Sequence, residues 1–164
     1  MTPELSRIVP ADHPPETYVV TATAAECMAL AERMRIPGVV SATCSFTLRA
    51  RGSVVIAEGN LVARVVQSCV VSLEPVAQEV RERFKLRFVP EGQDSGGDEP
   101  DSPDEIPYAG LKIDLGEAVA EQLGLALDPY PRHPDAVLDD VGAVEDAGSA
   151  FGTLAGLRGR VEPQ

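Results

Sequence analysis

Tryptophan is absent from this chain of 164 residues, and the other aromatics are sparse, with four Phe and three Tyr. A core must therefore be built mainly from Val, Leu, Ala and Ile, and a base-stacking platform for single-stranded nucleic acid is not expected. Long apolar runs are missing as well. No stretch reaches the roughly 18 residues that a membrane-spanning helix needs. The opening residues, MTPELSRIVPADHPPE, hold no apolar signal-peptide core. A cytoplasmic protein with no membrane partner is expected. Cysteine is scarce: Cys27, Cys44 and Cys69 stand 17 and 25 positions apart and form no C-x-x-C pair. That spacing suits free thiols rather than a disulfide framework or a metal set. His13 and His133 sit in proline-rich segments as solvated imidazoles, so no metal and no cofactor is expected.

Catalytic signatures are missing too. The chain has no G-x-S-x-G, no P-loop and no G-x-G-x-x-G. Its carboxylates are many but lie in low-complexity acidic tracts, where solvation is the usual role. No base is paired with an orienting group, so no catalytic residue is assigned and the chain is expected not to be an enzyme.

Charge is present in quantity and is unevenly placed. Residues 1–90 carry ten cations and nine carboxylates, which leaves four cations and seventeen carboxylates for residues 91–164, within a net charge of −12. Such an acidic total argues against a protein that binds nucleic acid over its whole surface. It leaves room for a local basic face in the first part.

One such face is legible between Leu61 and Pro90. Val80, Phe84, Leu86 and Phe88 share one parity, interrupted by Glu82, and Arg81, Arg83, Lys85 and Arg87 share the other. Successive side chains of a strand point to opposite faces, so this reads as a strand over 78–89 with one oily and one basic side. The preceding Leu73-Glu74-Pro75-Val76 makes a corner. Upstream, Tyr18–Thr23 reads as a short strand. Thr23-Ala-Ala-Glu26 is a capping box opening a helix to about Met34, with Ala24, Met28, Leu30, Ala31 and Met34 as its apolar positions.

A strand over 39–50 follows, with Val40, Ala42, Cys44, Phe46 and Leu48 as its apolar parity. Arg51-Gly52-Ser53 is a turn, Val54–Ala57 a strand, Glu58-Gly59-Asn60 a second turn, and Leu61–Val71 a further strand. Short turns favour antiparallel neighbours. Arg49, Arg51 and Arg64 can thereby join the basic face and contact phosphates with the other four cations. The competing reading is an ordinary solvated face, partly neutralised in cis.

Residues 91–105 hold seven acids and no apolar side chain, which predicts a mobile loop. Asp114-Leu-Gly-Glu117 is a second capping box, and its helix should run from Leu115 to about Leu127. Asp128-Pro129-Tyr130-Pro131-Arg132-His133-Pro134 breaks that helix. Residues 135–149 are acidic again, and Ala150–Leu157 forms a short apolar segment of helical character.

Three of these pieces carry a resemblance. CVVSLEPV (Cys69–Val76) with its basic strand, the segment from Ile113 to Pro134, and AFGTLAGL (Ala150–Leu157) resemble, in order, the YceD-like family of bacteria and plastids, its α-proteobacterial branch most of all. The motif residues are Cys69, Leu73, Glu74, Pro75, Asp114, Leu115, Asp128, Pro129, Tyr130 and Pro131. The resemblance implies a role in large-subunit ribosomal RNA accumulation, hence in ribosome assembly. Many relatives read C-x-x-C where this chain has Cys69 and Ser72, so a family metal or redox pair is incomplete here.

The expectation is one α+β domain over 1–164, with an antiparallel, barrel-like sheet, two main helices, a mobile N-terminus 1–15, a disordered acidic loop and a flexible acidic region 135–164. Its expected partner is large-subunit rRNA or a pre-ribosomal particle, met through Arg49, Arg51, Arg64, Arg81, Arg83, Lys85 and Arg87. The alternative is a protein-only chaperone or adaptor that holds a basic ribosomal protein through the acidic segments.

Overall fold

Arg51 pairs with Val54, so only Gly52 and Ser53 link two long strands, and Gly52 adopts φ 63°. Glycine takes that conformation without Cβ strain, which suits a two-residue hairpin. The structure is a computed structural model and describes residues 4–93 and 102–137. In chain order the elements are β1 (Ile8–Pro10), β2 (Thr17–Thr21), α1 (Ala24–Met34), β3 (Gly38–Arg51), β4 (Val54–Ser68), β5 (Pro75–Pro90), β6 (Asp104–Tyr108), β7 (Lys112–Asp114) and α2 (Leu115–Ala126).

Five strands form one sheet in the order β2-β3-β4-β5-β6, and β1 pairs with β7 in a separate two-stranded ribbon. The fold is thus α+β with a mostly antiparallel sheet; only β6 runs parallel to its neighbour β5. The sheet does not close into a barrel. Its edges, β2 and β6, do not meet, because the chain leaves β6 through β7 into α2 and lays that helix on the sheet. Both helices lie on one face, α1 against β3 and α2 against β4 and β5. Cys44, Phe46, Ala57, Leu61, Leu86 and Phe88 from the sheet meet Leu30, Val119 and Leu123 from the helices in a single core.

Several expectations are revised by packing. The Glu58-Gly59-Asn60 turn does not exist: β4 runs unbroken through it. Gly59 is there because a Cβ would lie 2.3 Å from Cζ of Phe84, whose ring packs edge-on against Phe46 at 5.7 Å. Val40 is exposed rather than inward, because the β3–β4 register slips between Val39 and Ser41 and leaves it as the extra residue of a bulge. The strand predicted over 78–89 begins earlier, at Pro75, paired to Ser68.

Helix α1 has its capping box, but its buried stripe is Cys27, Leu30 and Ala31, with Met28 turned outward. Glu26 is buried on that helix because Arg7 reaches it at 2.8 and 3.0 Å. The second capping box is half made. Asp114 accepts from the Gly116 and Glu117 amides, while the Glu117 carboxylate is taken by Arg33 through two hydrogen bonds of 2.9 and 2.6 Å.

The first described residues run across the start of α2. Leu5 and Val9 are buried, the Arg7 amide donates to Asp114, and Leu115 N–H donates to the Arg7 carbonyl. Gly116 permits the crossing, since a Cβ there would stand 2.7–2.8 Å from backbone atoms of Leu5, Ser6 and Arg7. The acidic loop expected over 91–105 lies largely outside the described residues, and its last two positions open β6. The segment Ala150–Leu157 lies outside them entirely. Among the described residues no helix is long and apolar enough to cross a membrane.

Candidate nucleic-acid interface

Residues directly opposite in a ladder share a face. Arg87 pairs with Ile56 and Ile56 with Arg49; Lys85 pairs with Glu58, Arg83 with Asn60 and Arg81 with Val62. Val54, opposite Arg51, and Arg64, opposite Glu79, belong to the same alternate set along β4. Arg49, Arg51, Arg64, Arg81, Arg83, Lys85 and Arg87 therefore all lie on one face, the one turned away from both helices. Six are exposed and Arg87 is half-buried.

This outer face is not uniformly positive. Arg87 pairs with Glu105 on β6 at 2.8 Å, Arg81 with Glu79, and Lys85 with Glu58 at 3.7 Å. Arg49, Arg51, Arg64 and Arg83 make no ion pair among the described residues. The seven cations thus stand against three carboxylates, Glu58, Glu79 and Glu105, and the local balance opposes that of the whole chain. The Arg81–Glu79 and Lys85–Glu58 pairs are open to solvent, and such pairs are readily exchanged for another anion, while the Arg87–Glu105 pair is half-buried.

The rest of the face is hydroxyl-rich, a feature that the charge pattern alone did not bring out. Thr47 pairs with Thr17 and Thr43 with Thr21, and Ser45 lies opposite Asn60. Reading across the strands, cations on β5 give way to mixed groups on β4 and to hydroxyls over Ser41–Thr47 of β3 and at Thr17 and Thr21 of β2, while Arg49 and Arg51 keep one end of β3 basic and exposed Val19 lies between the two β2 threonines. The sheet's aromatic rings, Tyr18, Phe46, Phe84, Phe88 and Tyr108, lie on the opposite side, in or against the core.

Apart from Asp114 and Leu115, the motif residues gather elsewhere, at the end of the sheet where β4 turns into β5. Cys69 N–H donates to the Glu74 carbonyl at 2.8 Å and Leu73 N–H to the Cys69 carbonyl at 2.9 Å, with Leu73 at φ 61° and Pro75 starting β5. The chain after α2 packs on this reversal. Gln67 Nε2 donates to the Asp128 carbonyl and Val70 N–H to the Pro131 carbonyl, both at 2.9 Å. Asp128 folds its own segment by accepting from Tyr130 N–H, and Pro131 is buried while Pro129 and Tyr130 are exposed. Cys69–Pro75 and Asp128–Pro131, far apart in sequence, form one junction.

Cys69 is the centre of that junction. It is fully buried, and its Sγ accepts from Val71 and Ser72 N–H at 3.4 Å and from His133 N–H at 3.3 Å. Those donors, His133 first, then the Ser72 hydroxyl and amide, hold the thiol down at about 6 against the opposing effect of burial. Desolvation pushes Cys44 the other way, up to about 12. Asp114 and Leu115 do separate structural work, the one capping α2 and the other filling the core. Among the described residues no group of three or more His, Cys, Asp or Glu side chains is placed to hold a metal ion.

Among the described residues the sheet is covered by helices on one face and uncovered, hydroxyl-rich and basic on the other, in a small α+β fold. The family model for the large ribosomal RNA subunit accumulation protein YceD matches residues 57–150, which is more than half of the chain. The protein belongs to the YceD family, and that membership links it to accumulation of large-subunit ribosomal RNA. The matched region runs from near the start of β4 through the Cys69 junction, β5 and α2. Comparison with curated proteins and with solved structures gives no match.

Proposed function

We propose that the protein is a non-enzymatic cytoplasmic factor that supports large-subunit rRNA accumulation by touching rRNA, or a pre-ribosomal particle, through the outer face of its sheet. The observation that carries this reading is the shared face of Arg49, Arg51, Arg64, Arg81, Arg83, Lys85 and Arg87, opposite the helices and against the acidic trend of the chain. Cations set on a rigid sheet meet phosphates at little ordering cost, and each phosphate contact adds a salt-dependent increment of affinity. The Cys69 junction supports this indirectly, by fixing the β4–β5 reversal and thus the register that aligns the cations.

The test is chromosomal. Replacement of Arg49, Arg83 and Lys85 by Glu should lower the ratio of large- to small-subunit rRNA toward that of a deletion strain, with the variant present at normal level. A normal ratio in both strains overturns the reading. The acidic excess after residue 90 favours a second reading, a carrier for a basic ribosomal protein. That carrier would retain its cargo after nuclease treatment and would tolerate the three charge reversals.

A further inference from the structure

The outer face is graded in a way that a simple basic patch is not. The row Arg83–Asn60–Ser45–Val19 runs from a cation on β5 to a hydroxyl on β3, and the row Lys85–Glu58–Thr47–Thr17 does the same, whereas the row Arg87–Ile56–Arg49 keeps a cation at both ends. With strands about 4.8 Å apart, the cation strip and the hydroxyl strip are separated by roughly 10 Å. No aromatic ring from β2 to β5 lies on this side, because Tyr18, Phe46, Phe84 and Phe88 are in or against the core. Single strands are held largely by stacking on such rings. The grading therefore disfavours splayed bases and suits a sugar–phosphate surface.

We infer that the outer face takes double-helical RNA, with Arg49, Arg83 and Lys85 on the phosphates and Thr43, Ser45 and Thr47 facing the 2′-hydroxyls of the minor groove. The A-form minor groove is wide and shallow and displays 2′-hydroxyls beside phosphate rows, which matches a hydroxyl strip with cations along one side on β5 and at one end, at Arg49 and Arg51. Arginine offers a planar fork to phosphate oxygens, and short hydroxyl side chains both donate to and accept from a 2′-OH. Recognition of this kind reads helix shape and sugar identity rather than base sequence. This inference rests on the proposed contact with RNA and specifies which form of RNA is met.

The experiment uses the full chain and three probes of one sequence: an RNA duplex, one strand of it alone, and the matching DNA duplex, each titrated at several salt concentrations. The RNA duplex should bind tighter than either of the others by roughly tenfold or more. Arg49→Glu with Arg83→Glu should weaken RNA-duplex binding and reduce the salt slope by about one unit per arginine. Ser45→Ala with Thr47→Val should narrow the preference for RNA over DNA and leave the salt slope unchanged, a result that loss of folding would not give. Equal or tighter binding of the single strand, or of the DNA duplex, overturns this inference while leaving rRNA contact standing. Absence of binding to any RNA probe overturns both.

Discussion

Along β4, Val55, Ala57, Leu61, Ala63 and Val65 point one way and are buried, while Glu58, Asn60, Val62 and Arg64 point the other and are exposed. The two faces of one strand answer to different demands. The inner set is fixed by packing: small Ala57, Gly59 and Ala63 make room for Phe46, Phe84 and two helices. The outer set has no covering layer among the described residues, so folding asks little of it beyond solubility and strand propensity. Its arginines, hydroxyls and sparse carboxylates are therefore where a partner's chemistry can be written. Apart from the basic strand β5 and Asp114–Leu115, the family motifs fall on neither face. Cys69–Pro75 and Asp128–Pro131 meet at the end of the sheet and hold the register on which both faces depend.

The contrast is broken most directly by paired truncations at neighbouring positions. Phe46→Ala removes a buried ring and its edge-on contact with Phe84, and should cost about 3–5 kcal/mol. Ser45→Ala, one residue away on the outer face, should cost less than about 0.5 kcal/mol. Urea unfolding of the two variants checks this, and equal losses would mean that the outer face is covered. Gly116→Ala comes next. The added methyl would press on the backbone of Leu5, Ser6 and Arg7, which cannot rotate away as a side chain can. A loss of about 1–3 kcal/mol is expected, with protease cleavage appearing first in the N-terminal segment as it lifts.

Glu26 and Cys69 make stability depend on pH in separate windows below the ordinary thiol range. The Arg7 guanidinium, aided by the Thr23 amide and hydroxyl, holds Glu26 at about 2 against an ordinary 4.5. A depressed carboxylate pKa means that the unfolded chain binds the proton more tightly. The stabilisation is full above 4.5 and is lost as pH falls toward 2. Thermal unfolding over that range should show a slope that Glu26→Gln lacks. Cys69, held at about 6 against an ordinary 9, behaves likewise: its contribution is full above 9 and is lost as pH falls through 6. Cys69→Ser should flatten the pH dependence of unfolding between those values, and a thiolate absorbance titration should give a midpoint near 6 in the folded chain only.

The parts of this molecule that local chemistry decides were legible in the sequence. The alternation of β5, the Thr23–Glu26 capping box and the Gly52 hairpin all depend on neighbours a few residues away. What failed depends on distant partners. Gly59 has the local look of a turn residue, and only the Phe84 ring explains why it lies mid-strand. Met28 and Cys27 are both apolar, and which of them faces the core is set by how α1 lies on β3. Closure into a barrel failed because α2 occupies the face that a closed sheet would have filled with its own side chains. Of the interface, the β5 cations were readable by parity. Their alignment with Arg49 through Ile56 follows from the two-residue turn and the register that it sets. The neutralising partners Glu58, Glu79 and Glu105 and the hydroxyl rows became visible only with that register.

The smallest expected effect on stability bears most directly on function. Arg83 is exposed, pairs across the ladder with Asn60 and makes no ion pair among the described residues. Arg83→Ala should change the unfolding free energy by less than about 0.5 kcal/mol. Lys85→Ala, which opens the solvent-exposed contact with Glu58 at 3.7 Å, should cost at most about 1 kcal/mol. If both remain near neutral by urea unfolding while the ratio of large- to small-subunit rRNA falls in cells, the outer face acts through a partner and not through the fold. If either destabilises as Gly116→Ala does, the face is structural after all and the division between the two sides of the sheet fails. Arg33→Ala supplies the control, since its pair with Glu117 is also solvent-exposed but joins α1 to α2 away from the outer face. It should cost a similar fraction of a kcal/mol, about 0.2–1, and leave the rRNA ratio unchanged.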